Sequence, residues 1–166
     1  VTSPRLDHVS ITTADLDRSV AFYGDVLGLA LLASGEAGEP ELSDLVGIPG
    51  VRVRYAEFDL GAPHILEVLE YLSARGEALE PSPNRPGATH IALAVADISP
   101  VKARLDAAGA TVSRDVVTLT EDTDWNGVRT LYARDPDGVS IELVERDGVI
   151  RLAETEPRPA RRRGMP

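Results

Sequence analysis

The 166-residue sequence predicts an α+β chain built as two tandem βαβββ modules, and three observations carry that prediction. An internal repeat comes first: LDHVSITTADLDRSVAFY at residues 6–23 aligns with ATHIALAVADISPVKARL at residues 88–105. Each copy sets a His in an alternating run, Ala-Asp six and seven residues later, and a helical segment running to a glycine, Gly28 or Gly109. Next, the copies end alike, HILEVLE at 64–70 and VSIELVE at 139–145, each with a Glu followed three residues later by another. Self-similarity of this kind is the sequence sign of a repeated structural unit. Finally, the hydrophobic period changes along each copy from two to about 3.6 and back, which reads as strand, helix, then strands.

Residues 6–12 alternate as a strand, with Leu6, His8, Ser10 and Thr12 on one face. Asp15 or Asp17 caps a helix whose apolar residues Leu16, Val20, Tyr23 and Leu27 follow helical spacing. Strands are expected at 29–34, 51–60 and 63–70, separated by a loop from Gly35 to Gly50 and a Gly61-Ala62-Pro63 turn. The second copy repeats this with strands at 89–95, 111–117, 128–134 and 139–145 and a helix at 99–108, where Pro100 occupies a tolerated first-turn position. Asp135-Pro136-Asp137-Gly138 is a turn between the last two strands. A Pro-rich linker at 73–87 joins module 1, residues 6–72, to module 2, residues 88–146, within a single domain spanning 1–146. Residues 147–166, with Arg161-Arg162-Arg163 set among prolines, read as a flexible tail.

Composition narrows the function classes. A hydrophobic fraction of 43% supports one buried core, and 4% aromatics means that Leu, Val, Ile and Ala build it. No run reaches the roughly 18 apolar residues of a membrane span. The N-terminal VTSPRLDHVS lacks the apolar stretch of a secretory signal, so a cytoplasmic location is expected. Without cysteine there are no disulfides, thiolate ligands or cysteine nucleophiles. The net charge is −10, and the last twenty residues carry five Arg against three acids, so residues 1–146 hold 12 basic and 24 acidic groups. A body of that charge repels a phosphate backbone, which argues against nucleic-acid binding.

The repeat also marks a candidate metal site. Strand parity puts Ile65, Glu67 and Leu69 on one face, opposite Leu66, Val68 and Glu70. It puts Ser140, Glu142 and Val144 opposite Ile141, Leu143 and Glu145. A carboxylate inside an apolar strand is costly unless paired, metal-bound or solvated. His8 matches His90 and Glu67 matches Glu142, so two imidazoles and two carboxylates recur at equivalent places, a plausible site for one divalent ion. Ni, Co, Mn, Zn and Fe all suit such donors. His64 has no counterpart and is left out. Arg85, Trp125, Asn126, Arg129 and Tyr132 are further candidates for lining a substrate site. Trp125-Asn126-Gly127 reads more simply as a turn, and Arg54 and Arg129 as solvated-face residues.

The DHVSITTADLDRSVAFY opening, the THIALAVADI segment and the DPDGVSIELVE ending resemble the glyoxalase / bleomycin resistance / extradiol dioxygenase superfamily, the vicinal oxygen chelate group, over residues 6–146. The resemblance implies that each module forms a curved four-stranded sheet and that two modules make a cup around a metal. Ligands then come from the first and last strands of each module: His8, Glu67, His90 and Glu142. It further implies Lewis-acid stabilisation of an enediolate on a small substrate with vicinal oxygens, with Glu67 or Glu142 as the catalytic proton shuttle, in a lyase or isomerase of the glyoxalase/epimerase type. An extradiol ring-cleavage dioxygenase and an antibiotic-sequestering protein of the bleomycin-resistance kind are the alternatives. Two positions depart from relatives of known type. Thr12 stands where glyoxalase I enzymes commonly carry an Arg for the glutathione carboxylate. Ile48-Pro49-Gly50 stands where methylmalonyl-CoA epimerases carry an additional Glu. A homodimer is expected, although the linker is long enough for the modules to pair within one chain.

Overall fold

The computed structural model describes residues 3–38, 40–61, 63–79, 82–112, 115–120 and 125–145. The expected tail lies outside them. Alternation builds both modules as the sequence predicts. In β1 (His8–Thr13), His8, Ser10 and Thr12 are exposed while Val9 and Ile11 are half-buried and Thr13 is buried. Helix α1 (Leu16–Ala21) starts at Asp15, whose carboxylate accepts a hydrogen bond from the Arg18 N–H at 3.1 Å. It widens into a π-helical turn at Phe22–Val26, where the Leu27 N–H reaches back to the Phe22 carbonyl at 3.0 Å. That turn seats Phe22 and Tyr23 edge to face, their ring centroids 5.3 Å apart. Gly28 then takes a φ of +82°, which reverses the chain into β2 (Leu31–Ala37).

After α2 (Glu41–Val46) come β3 (Val53–Asp59) and β4 (Ile65–Tyr71). The sheet order is β1-β4-β3-β2, with β1 parallel to β4 and the other pairs antiparallel. Module 2 repeats the plan with β5 (His90–Val95), α3 (Ile98–Ala107), β6 (Val117–Thr118), β7 (Arg129–Arg134) and β8 (Ser140–Glu145), in the order β5-β8-β7-β6. Asp97 caps α3 through the Ser99 N–H, as Asp15 caps α1. No helix among the described residues is long and apolar enough to cross a membrane.

Two elements differ from expectation. The loop from Gly35 to Gly50 contains α2, which ends at Gly47 with a φ of +71°. None of its residues is buried and Leu45 is 82% exposed, so no apolar stripe announces it. Of the strand expected at 111–117, the described residues show a bridge from Val112 to Ala133 and the two-residue β6; residues 113–114 lie outside the described residues.

One face of each sheet carries its helix, and these two faces share a core. Phe22, Tyr23, Phe58, Leu66 and Val68 of module 1 belong to the same cluster as Ile98, Leu105, Leu131, Ile141 and Leu143 of module 2. Each fully buried Leu or Phe contributes about 1.5–3 kcal/mol over leaving it exposed. The seam is also polar in places. The buried Tyr23 hydroxyl donates to Asp135 Oδ2 at 2.9 Å, and Arg18 meets Asp137 at 2.7 Å.

The second Glu of each strand ending also belongs to the helix side. Glu70 accepts from the Leu16 N–H at 3.3 Å, and Glu145 from the Ile98 N–H at 2.7 Å. Each carboxylate also takes a guanidinium from its cross-strand partner, Arg54 for Glu70 and Arg129 for Glu145. Negative charge at a helix N-terminus is stabilising, so the repeat conserves a cap made in tertiary space. Arg54 and Arg129, expected on a solvated face, are therefore structural partners, and Arg129 does not line the open face.

Candidate functional site

Because the helix-bearing faces share one core, the other face of each sheet points away from it. The expected ligands lie on that other face of each sheet, which is exposed at His8 and His90 and closely packed at Glu142, between the buried Ser140 and Val144. In sheet 1, Ser10 of β1 is in register with Glu67 of β4, and His8 sits two residues earlier on the same face. In sheet 2, Ala92 of β5 is in register with Glu142 of β8, and His90 again precedes by two. The four residues thus come together as two pairs, His8 with Glu67 and His90 with Glu142, one pair on each sheet. Among the described residues no group of three or more His, Asp or Glu side chains converges closely enough to hold a metal ion.

The module 2 pair is the more constrained. His90 Nε2 lies 3.3 Å from Glu142 Oε2. Glu142 is largely buried, with its side chain 12% exposed, and both carboxylate oxygens are held. The Thr130 hydroxyl donates to Oε1 at 2.8 Å and the Tyr132 hydroxyl to Oε2 at 3.1 Å. Tyr132 is in register with Glu142 across β7 and β8, and its ring meets the His90 imidazole with centroids 5.5 Å apart. Burial first, and then the Glu142 charge, raise the Tyr132 hydroxyl above its ordinary pKa, so it stays a proton donor. Tyr132 was one of several candidate lining residues in the sequence. Its placement opposite a ligand position comes from strand register, which neither strand encodes alone.

The module 1 pair is more open. His8 Nδ1 lies 2.8 Å from Asp7 Oδ1, and the imidazole is half exposed. That hydrogen bond is the main reason the His8 pKa is raised, with the charges of Glu67, Asp7 and Glu57 adding to it against partial desolvation. Glu57 of β3 is in register with Glu67, so the position that Tyr132 fills in module 2 is a carboxylate here. Nothing in the alternation of β3 marks Glu57, because its place beside Glu67 depends on the β3–β4 register.

The donor chemistry suits a divalent ion. A metal-bound His commonly gives its second ring nitrogen to a carboxylate, and Asp7 supplies this for His8, leaving Nε2 free to ligate. Ligating carboxylates are in turn hydrogen-bonded, as Glu142 is by Thr130 and Tyr132.

A cavity of about 700 Å³ opens elsewhere, at the seam where the end of β1, the linker and the start of β8 meet. Thr12, Tyr71, Arg75, Arg85, Arg134 and Ser140 are among its lining, and none of the four expected ligands is. Of the remaining candidates, Trp125-Asn126-Gly127 forms a turn closed by the Val128 N–H on the Trp125 carbonyl at 3.0 Å. His64 immediately precedes β4, its Nδ1 buried and without a hydrogen-bond partner among the described residues, on the parity opposite to Glu67.

A family model described as the Glyoxalase/Bleomycin resistance protein/Dioxygenase superfamily matches residues 5–143. A 2-epi-5-epi-valiolone epimerase from an Actinomyces species is 32% identical over 141 residues, covering 82% of this chain and 76% of that protein. A lactoylglutathione lyase from Haemophilus influenzae is 31% identical over 142 residues, covering 83% and 90%. Among solved structures, a glyoxalase family protein from Bacillus cereus superposes with a TM-score of 0.75 at 25% identity, covering 87% of this chain and 95% of that one.

Proposed function

The chain belongs to the glyoxalase/bleomycin resistance protein/dioxygenase superfamily, and on that premise we propose that it is a divalent-metal lyase or isomerase acting on a small substrate with two neighbouring oxygens. Relatives named as a lyase and as an epimerase support an enzyme of this superfamily. The observation that carries the proposal is the recurrence of one His and one Glu at matching positions on the open face of both sheets. Neither pair serves the core, and the cost of holding carboxylates on apolar strands is offset if they bind a cation.

His8 and Glu67 form one half of the centre, and His90 and Glu142 the other. A homodimer unites them, module 1 of one chain facing module 2 of its partner. This reading follows from the shared core, which turns the two half-sites of a single chain away from each other. Bound there, a divalent ion supplies a Lewis acid that polarises a substrate carbonyl. The chain's own residues orient the substrate and move the proton. Glu67 or Glu142 takes the proton from the carbon beside the carbonyl and returns it to the same or the neighbouring carbon. Thr130 and Tyr132 keep the Glu142 carboxylate in place through that exchange.

Elemental analysis tests the ligand set. Wild type purified without chelator should hold stoichiometric metal, and His90→Ala and Glu142→Ala should lose it. A doubly tagged mixed dimer of a His8→Ala chain and a His90→Ala chain tests the cross-chain assembly. A centre shared between chains leaves one of the two sites of that dimer intact, so metal persists there while both variant homodimers are empty. Metal missing from the mixed dimer would place each centre within one chain, and metal missing from wild type after reconstitution would end the enzyme reading.

A further inference from the structure

The open face of sheet 1 is unusual in charge. Its strand positions include His8, Ser10 and Thr12 of β1; Ile65, Glu67, Leu69 and Tyr71 of β4; Val53, Tyr55, Glu57 and Asp59 of β3; and Ala33, Gly35 and Ala37 of β2. None is Lys or Arg. Glu57 and Glu67 are directly cross-strand, a placement where like charges repel. No described side chain forms a hydrogen bond or ion pair with either carboxylate. A metal at Glu67 would offset that one charge and leave Glu57, one strand further out, as a half-buried acceptor with no donor. The residue beside it on β2 is Ala33, so no large side chain screens it from that direction. Module 2 differs at the matching position, where Tyr132 donates to Glu142 and leaves a neutral wall.

We propose that Glu57 determines specificity, accepting a hydrogen bond from a hydroxyl of an uncharged, polyhydroxylated carbonyl substrate and turning away anionic ones. An acceptor-only group rewards a donor on the substrate, and hydroxyls supply one without adding charge. A face with three carboxylates and no guanidinium or ammonium disfavours thiol-peptide conjugates and acyl-nucleotide esters, whose carboxylates and phosphates need a cation. The −12 carried by residues 1–146 acts in the same direction at longer range. Ser10, in register with Glu67 on the same face, offers a hydroxyl and no positive charge. This inference rests on the metal-enzyme reading and adds the substrate class to it.

Calorimetric titration of the full-length, metal-reconstituted protein separates the possibilities, with 2-keto-myo-inositol as the neutral probe and S-D-lactoylglutathione as the anionic one. Wild type should bind the ketone at least about tenfold more tightly, the value of one good hydrogen bond to a charged acceptor. Glu57→Gln should retain full metal content, lose about tenfold for the ketone and gain severalfold for the thioester. Glu57→Leu should lose the ketone further while still holding metal, which separates the proposed role from that of a ligand. Preference of wild type for the thioester, failure to bind either probe, or unchanged affinities in Glu57→Gln would each overturn the assignment of Glu57. Absence of metal from wild type would instead overturn the enzyme reading beneath it, and metal content measured on the same samples tells the two failures apart.

Discussion

Replacing Glu145 by Gln keeps the side chain's shape and removes its charge from the N-terminal end of α3. In the wild type that carboxylate takes the Ile98 N–H at 2.7 Å and Arg129 at 2.6 and 2.9 Å, with the acid 14% and the guanidinium 37% exposed. Gln keeps an acceptor at the Oε2 position, which takes both the Ile98 N–H and Arg129, but it removes the charge from both bonds and sets an NH2 against the guanidinium at the Oε1 position. A hydrogen bond to a charged group is worth about 1.5–3 kcal/mol, and the charge at the helix end adds about 0.3–1 kcal/mol. Arg129 can recover part of this from water, which sets the expected loss at about 2 kcal/mol rather than the roughly 3–5 of a fully buried broken pair. With a urea slope of about 2 kcal/mol/M for a domain of this size, the unfolding midpoint should fall by about 1 M. Equilibrium unfolding followed by circular dichroism checks this, and hydrogen exchange should show the loss concentrated at the start of α3. A midpoint within about 0.3 M of wild type would refute the view that this carboxylate caps the helix across the sheet. Glu70→Gln should act in the same direction on α1.

Tyr23→Phe leaves the buried Asp135 with only the backbone N–H groups of Asp137 and Val139, and should cost about 1.5–3 kcal/mol, seen as a lower melting temperature with unchanged metal content. An unchanged melting temperature would show that the seam does not depend on that hydroxyl. Burial, partly countered by the Tyr23 hydroxyl, raises the Asp135 carboxyl above its ordinary value of 3.8, so the folded state binds this proton more readily than the unfolded one. Its contribution is therefore fully present below that value and lost as pH rises through the folded-state pKa. The stability of wild type relative to Asp135→Asn should accordingly shrink as the pH rises above 3.8, and a difference that grows with pH would contradict this. Tyr132→Phe and Thr130→Val each remove a donor from Glu142 and should weaken metal binding by about 10–100-fold in a chelator competition, whereas unchanged affinity would exclude them as supports of the ligand.

The two-module fold was legible because the repeat and the strand parity both survive in one sequence. His8, Glu67 and His90 fall on the less buried parity of their strands, as the alternation implied, whereas Glu142 lies between the buried Ser140 and Val144. The roles of Glu70 and Glu145 were half visible: three residues separate each from Glu67 or Glu142, which puts them on the opposite face. Their partners, Leu16 N–H and Ile98 N–H, are joined to them only by tertiary packing. Glu57 was hidden, and Tyr132 was named only as one lining candidate among several, for a related reason, since register between two strands is a property of the pair. Helix α2 was missed because it buries nothing, and a helix without an apolar stripe leaves no periodic trace. That both helix-bearing faces meet in one core was likewise unreadable, because alternation says only which residues share a face.

That common core limits how the chain can be cut and recombined. Severing it in the linker at 73–87 would strip Phe58, Leu66 and Val68 from Ile141 and Leu143, leaving each fragment with an uncovered apolar surface. The tandem organisation invites excision of a module as a portable unit, yet neither half carries enough interior of its own. Shuffling halves between homologues should succeed only when the Tyr23–Asp135 and Arg18–Asp137 contacts travel together, so heritable variation on the two sides of the linker is coupled through the interior.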